Sequence, residues 1–420
     1  MKNSGYREFT KNKNFLLYLT ANIINRFGDS LDSIAFTWII YTITGSAFWS
    51  ALIFGLNRLP TILLQPFLGV LVDKLNKKKI LIISDVIRGI CVSIIAIGIF
   101  QGWLNEYHLL LSTIFISTAE AFRMPAAASM LPSLLEKDKY ESGISLNNGL
   151  MRTIEFSGLA SAGVIIGLFG ILGAVLIDVV TFFVCAILMS FVKVRNVTLT
   201  DEELNGNYIQ RLKDGFSLIK GNKLIVYLLI LATFMNGIYA PLNALEAPLV
   251  KEILHSGEIM LSVIGLSLTL GGVLGSFLYP KVRNKISELQ LIKLGAFALI
   301  IMYLGPLILG RIITNDKVMY LAVLILGSFC GGCVALLYTY VGVLTIQSVK
   351  SEYLGRVNSI IYALSSASIP LASFLVSGAV MIMSTELVLM GCAIVSIIFF
   401  FTACSKRVYL KMVKSKKLED

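Results

Sequence analysis

Twelve runs of roughly twenty mostly apolar residues follow one another along the chain, and this pattern limits the fold more than any other feature. They fall near 15–41, 48–72, 80–100, 108–130, 146–168 and 171–192, then 224–245, 259–278, 289–309, 318–346, 357–382 and 387–402. A helix needs about 20 apolar residues to cross a bilayer. Only helices and closed barrels satisfy their backbone in lipid, and runs of this length are helices. The sequence therefore predicts an all-α polytopic membrane protein with twelve transmembrane helices, and an even number puts both termini on one side. Composition agrees: 56% of residues are hydrophobic and 15% charged, against about 45–50% and 25% for soluble domains.

The net charge of +11 does not point to nucleic acid, because the basic residues follow the topology. They cluster at Lys2, Arg7, Lys11 and Lys13, at Lys74 and Lys77–Lys79, at Lys281, Arg283 and Lys285, and between Lys406 and Lys417. All lie on one side of twelve alternating spans, while opposite-side loops such as 44–48 and 168–171 are short and nearly uncharged. This is the positive-inside asymmetry, with both termini cytoplasmic. The first run holds charges and is too long for a signal-peptide core, so no cleavable leader is expected. The expected partners are the lipid bilayer and a small-molecule substrate, with no nucleic acid, and the expected state is a monomer.

The stretch from Lys193 to Lys223 is the one break in composition. It divides the chain into an N-terminal bundle (1–193), a cytoplasmic linker (194–223) and a C-terminal bundle (224–420). Ile209, Leu212, Phe216 and Ile219 recur at helical spacing, which predicts an interfacial amphipathic helix within the linker. The segment from Gly69 to Ile80 after the second run resembles that from Gly275 to Ile286 after the eighth, each a glycine followed by a basic turn. The repeat points to two related six-helix halves.

Gly69, Leu71, Asp73, Lys74, Lys77 and Lys78 resemble the signature between the second and third helices of the major facilitator superfamily. Lys74 stands where arginine is usual and Asn76 where glycine is usual, asparagine also tolerating a left-handed turn. Further matches are Gly28-Asp29, Thr44-Gly45-Ser46-Ala47, Phe122 with Pro125-Ala126, Leu131-Pro132, Ile177-Asp178 with Phe182, Pro241 with Asn243-Ala244-Leu245, and Tyr353-Leu354-Gly355-Arg356-Val357. Their order resembles the macrolide-efflux-like branch of drug:proton antiporters and covers nearly the whole chain. The resemblance implies the major facilitator fold in a bacterial plasma membrane. It also implies a cytoplasmic gate formed by Gly69, Asp73, Lys74, Lys78 and Arg356. Two departures bear on coupling. The stretch Gly158–Gly163 lacks the proline of the antiporter motif, and Ile116 stands near where many members carry an arginine.

Ionisable residues inside spans are costly and read as functional by default. The first half holds Arg26, Asp29 and Asp32, then Arg58, Glu120, Arg123, Arg152, Glu155 and Asp178. Asp29, Asp32, Glu120 and Glu155 are the candidate proton-coupling acids, with Arg26, Arg58, Arg123 and Arg152 as charge partners. Asp29 and Glu120 fall near mid-membrane and are the preferred pair. Asp32 and Arg58 match in depth and predict an ion pair, with Arg26–Asp29 competing. Glu120–Arg123 and Arg152–Glu155 share the i, i+3 spacing that allows local pairing. Asp178 reads as a packing feature. Phe36, Trp38, Asn236, Tyr239, Asn243 and Tyr338 are candidate cavity residues, since an apolar pocket with a few polar anchors suits amphipathic ligands.

These readings point to a secondary active exporter of amphipathic compounds (an antibiotic or other drug, a siderophore or a peptide-like metabolite) that exchanges substrate for protons. The alternatives are a proton-coupled nutrient importer and a non-transporting sensor or immunity protein. No enzyme activity is expected: the chain has two histidines, His108 and His255, and no phosphate-binding loop. No cofactor or metal is expected either, the proton gradient being the energy source. Cys330-Gly-Gly-Cys333 lies in an apolar run and reads as small packing residues rather than a redox motif.

Overall fold

The computed structural model describes Phe9 and residues 12–136, 139–193, 217–349 and 351–403, and no strand occurs among them. Its helices are α1 (Lys13–Thr44), α2 (Ala47–Lys74), α3 (Lys77–Gln101), α4 (Glu106–Met130), α5 (Tyr140–Phe191), α6 (Lys223–Ala244), α7 (Ile259–Arg283), α8 (Glu288–Ile312), α9 (Asp316–Ser348), α10 (Ser351–Ser366), α11 (Ser368–Ala379) and α12 (Thr385–Ala403). Nine stretches among the described residues are long and apolar enough to cross a membrane. α1 and α4 are absent from the nine despite their length, because they carry Arg26, Asp29 and Asp32 and Glu120 and Arg123. One of the nine runs over 43 residues, Gly149–Phe191. At 1.5 Å per residue it far exceeds the roughly 30 Å hydrocarbon layer. Gly170 breaks it, with φ 70° and ψ 175°, a conformation that only glycine enters freely. The break falls inside the short loop expected at 168–171.

Helix ends follow local capping chemistry. The side chains of Asn105, Asn222 and Asn315 accept from backbone N–H groups at the starts of α4, α6 and α9, and Ser287 with Gln290 forms a capping box on α8. Gly102 closes α3 in the left-handed region, its N–H bonded to the carbonyls of Gly98 and Ile99. Asn76 corrects an expectation: its φ is −71°, not left-handed. It caps α3 instead, accepting from the Lys79 N–H at 3.0 Å. Asparagine serves here because its side-chain oxygen satisfies an orphan donor, not because it tolerates positive φ.

The chain divides into two compact units. The first comprises α1, α2 from Leu56 onward, α3, α4 and α5. One of its apolar clusters gathers Phe15, Tyr18, Leu81, Met130 and Met189 from four helices. The second comprises Gly45–Gly55 and the helices from α6 onward. Gly45–Gly55 belongs there because Gly55 packs on α11, where an added Cβ would lie 2.7 Å from the Phe374 ring. Within this second unit α7 and α9 meet backbone to backbone. A Cβ on Gly271 would overlap the Ser328 carbonyl oxygen, and one on Gly275 the carbonyl oxygen of Gly332, whereas Gly272 faces open space. Large apolar side chains such as Phe67, Phe100, Phe277 and Ile382 are exposed on both units, as a lipid-facing surface requires. Of the expected amphipathic helix, Ile209, Leu212 and Phe216 lie outside the described residues. Ile219 is buried with Ile225, Val357 and Ile360.

Candidate functional site

The site starts from a polar stripe on α1. Asn22, Asn25, Asp29 and Asp32 follow at i, i+3, i+7 and i+10 and so share one helical face. Glycines let α5 close on this helix. A Cβ on Gly28 would overlap Thr181 and come within 2.5 Å of Asp178 Oδ1, and one on Gly158 would lie 2.6 Å from Ser30 Cβ. α3 and α4 contribute charges at the same i, i+3 spacing, Asp85 with Arg88 and Glu120 with Arg123.

Three guanidiniums organise these groups. Arg88, only 3% exposed, donates to Asp29 on α1 and, at 2.7 Å, to Glu120 on α4. Its guanidinium carbon also lies 4.2 Å from the centroid of the Phe182 ring on α5, so one cation ties four helices together. Arg123 donates through Nε to Asp85 at 2.7 Å and through Nη2 to Asn22 at 3.1 Å. Arg26 pairs with Glu155 at 2.8 Å. Among the described side chains, Asp29, Asp32, Asp85, Glu120, Glu155 and Asp178 are thus six carboxyls sharing Arg26, Arg88 and Arg123.

Asp32 and Asp178 make no ion pair with a guanidinium among the described side chains. They are 5% and 1% exposed and lie within hydrogen-bonding reach of each other. Thr181 Oγ1 donates to Asp178 Oδ1 at 3.2 Å, while Oδ2 of each aspartate is buried without a donor.

The pairings differ from those expected. Arg58 is exposed on α2, and Asp32 meets Asp178 instead. Arg26 goes to Glu155 and Asp29 to Arg88, not to each other. Glu120 and Arg123 do not pair locally, because both reach across to α3. The Arg152 side chain lies outside those described. Sequence reasoning missed α3 altogether. Its signal was available, since Asp85 and Arg88 are opposite charges one turn apart in an apolar run.

The cavity candidates separate into three groups. Phe36 and Trp38 are buried packing residues of α1, not open surface. Tyr239 and Asn243 line a cavity of about 60 Å³ in the second unit, with Glu246, Leu268, Pro306 and Cys330. Tyr338 donates to Asn236 at 2.7 Å beside α6. The side chains of Gly69, Asp73, Lys74 and Arg356 lie outside those described. Lys78 donates to the Ser190 carbonyl at 2.6 Å, closing the C-terminal end of α5.

Comparisons agree with this architecture. Over 79% of its length the chain is 24% identical to macrolide efflux protein A of Streptococcus pyogenes, covering 80% of that protein. The Enterococcus faecalis protein of the same name is 23% identical over 75% of this chain and 96% of its own. The crystal structure of the nucleoside transporter NupG superposes with a TM-score of 0.72 at 13% identity, covering 93% of this chain and 98% of that one. The family model described as Major Facilitator Superfamily matches residues 18–372. A multi-pass helical chain with this match belongs to the Major Facilitator Superfamily of transporters.

Proposed function

We propose that this protein is a secondary active exporter of amphipathic small molecules, exchanging substrate for protons by alternating access in a bacterial plasma membrane. The observation that carries the reading is that, among the described side chains of the first unit, six buried or part-buried carboxyls gather around three guanidiniums. Six acids around three cations cannot all be ionised at an acceptable cost in low dielectric, so the cluster has protons to exchange. With α1, α4, both arms of α5, one span shared by α10 and α11 at Ile360–Ala379, and the seven remaining helices, the chain is read as twelve spans with cytoplasmic termini, in two halves (1–193 and 224–420) joined by a linker. Export is favoured by the relatives named for macrolide efflux. The substrate class draws on the same relatives, named for macrolide efflux. Gly69, Asp73, Lys74, Lys78 and Arg356 are the proposed cytoplasmic gate. A proton-coupled importer is the second reading, favoured by the proline-free stretch Gly158–Gly163.

The test uses purified protein in liposomes holding a pH-sensitive dye. Macrolides, cationic dyes, siderophores and peptides are added with and without an imposed proton gradient, in both gradient orientations. Substrate-driven proton movement, lost in Asp29→Asn or Glu120→Gln, is the expected result. Flux that ignores the gradient and survives both substitutions would refute coupling through this cluster. Co-directional movement of substrate and protons would replace export with import.

A further inference from the structure

Asp178 enters the reading above only as one of six acids, with no task of its own, and the sequence points to a packing role for it. The geometry points to something more: Asp32 and Asp178 form a carboxyl pair that holds one shared, exchangeable proton between α1 and α5. Its use in transport rests on the proposed proton exchange; the existence of the proton does not.

Three observations carry this. Asp178 Oδ1 lies 2.5 Å from where a Cβ on Gly28 would be, so its carboxyl is pressed against α1 at that turn. Asp32 is four residues further along the same face, and helical side chains lean toward the N-terminus, which brings its carboxyl down onto the same turn. Both groups are buried, and Oδ2 of each lacks a donor. An ionised carboxylate only accepts hydrogen bonds, so two ionised groups here would leave both atoms unsatisfied and put like charges in contact. One proton resolves both faults, because the protonated acid donates to the ionised one. Acids in such contact titrate as a pair, not as two separate residues.

The surrounding groups leave the pair exchangeable rather than locked. Asp29 adjoins it on α1, Arg88 faces it from α3 and Thr181 from α5, while Glu120 and the Asp85–Arg123 ion pair stand behind Arg88. The two cations are already held by Asp29 and Glu120 and by Asp85. Arg88 keeps one buried donor, Nε, without a partner, and lies over Phe182, one turn beyond Asp178. On release, the O–H bond of the shared proton breaks, the proton passes to water, and Arg88 is a cation at hand to balance the second charge.

The experiment is an infrared difference measurement on the full-length protein in detergent, between acid and alkaline pH, in water and in heavy water. The expected result is a carbonyl-stretch band of a buried protonated carboxyl that shifts in heavy water. It is lost in both Asp32→Asn and Asp178→Asn and kept in Glu246→Gln. Asparagine nearly matches the protonated acid in shape, and Asp178→Glu, which restores a carboxyl, retains a band if the fold is intact. Absence of the band in the wild type, or its survival in either asparagine variant, overturns the inference. The two readings fail separately. A band sensitive to both substitutions with no proton flux in liposomes upholds the pair and sinks exchange. Substrate-driven proton flux in a wild-type protein that shows no such band does the reverse.

Discussion

Removing the Arg88 side chain should be the most damaging single change in the first unit, and the geometry says by how much. The guanidinium is 3% exposed, with Asp29 and Glu120 at 17% and 19%. Arg88→Met preserves most of the volume but strands two carboxylates. Breaking a buried ion pair by deleting one partner costs about 3–5 kcal/mol, and the stacked Phe182 ring loses its cation as well. The penalty belongs to the abandoned negative charges. It should therefore be largest in alkaline buffer and shrink as acid neutralises the carboxyls, the sign being set by removal of charge and not by restored contacts. The triple variant Arg88→Met, Asp29→Asn, Glu120→Gln should recover most of the loss, since no isolated charge remains. Arg88→Lys should fall between, because one ammonium cannot reach both acids while stacking on an aromatic ring. Cys185, Cys330 and Cys333 are buried and free, so a thiol-reactive fluorophore reports unfolding on heating in detergent. A wild-type midpoint for Arg88→Met, or a triple variant no better than the single, would refute the assignment of Arg88 as the organising cation.

Two further changes test packing and capping. Gly271→Ala should destabilise the second unit, because its Cβ meets the Ser328 carbonyl and lies 2.7 Å from the Gly332 nitrogen. Overpacking of this kind costs about 1–3 kcal/mol. Gly272→Ala, which meets nothing within 4 Å, should be neutral or better, and monodisperse yield after extraction separates the two. Asn76→Ala should cost about 1 kcal/mol through the lost N-cap, lowering the unfolding midpoint. Asn76→Gly should cost only a few tenths of that unit.

How much of this was legible depends on which physical quantity the sequence encodes. Span positions were legible because bilayer thickness imposes a length on every apolar run. α3 and α12 fall within a few residues of their expected limits, and the Gly170 break falls in the expected turn. The role of Asn76 was not legible, since asparagine suits both a left-handed turn and an N-cap. Only the backbone angle decides between them. The CxxC residues, expected as packing, are both buried and free. Gly331 between them lets α9 approach the α7 backbone at Leu268.

The charge pairs were the hard part, and the reason is geometric. Sequence gives a residue's depth through the rise per residue, but pairing also requires azimuth around each helix. Asp32 and Arg58 agree in depth and sign, yet Asp32 shares its azimuth with Gly28, and that face looks onto Asp178 and Thr181 of α5. The azimuthal information was present in two patterns. Asn22, Asn25, Asp29 and Asp32 repeat every three or four residues, marking one polar face of α1 that had to meet polar partners. The glycines at 28 and 158 mark which helix approaches closest, since only a residue without a Cβ admits a neighbour at that distance. Combined, the polar stripe and the glycine contacts turn α1 toward α5, and Arg58 is left exposed. They also demand cations from elsewhere for Asp29 and Glu120. Arg88, one turn from Asp85 on the remaining helix of the unit, was the residue in position to supply one.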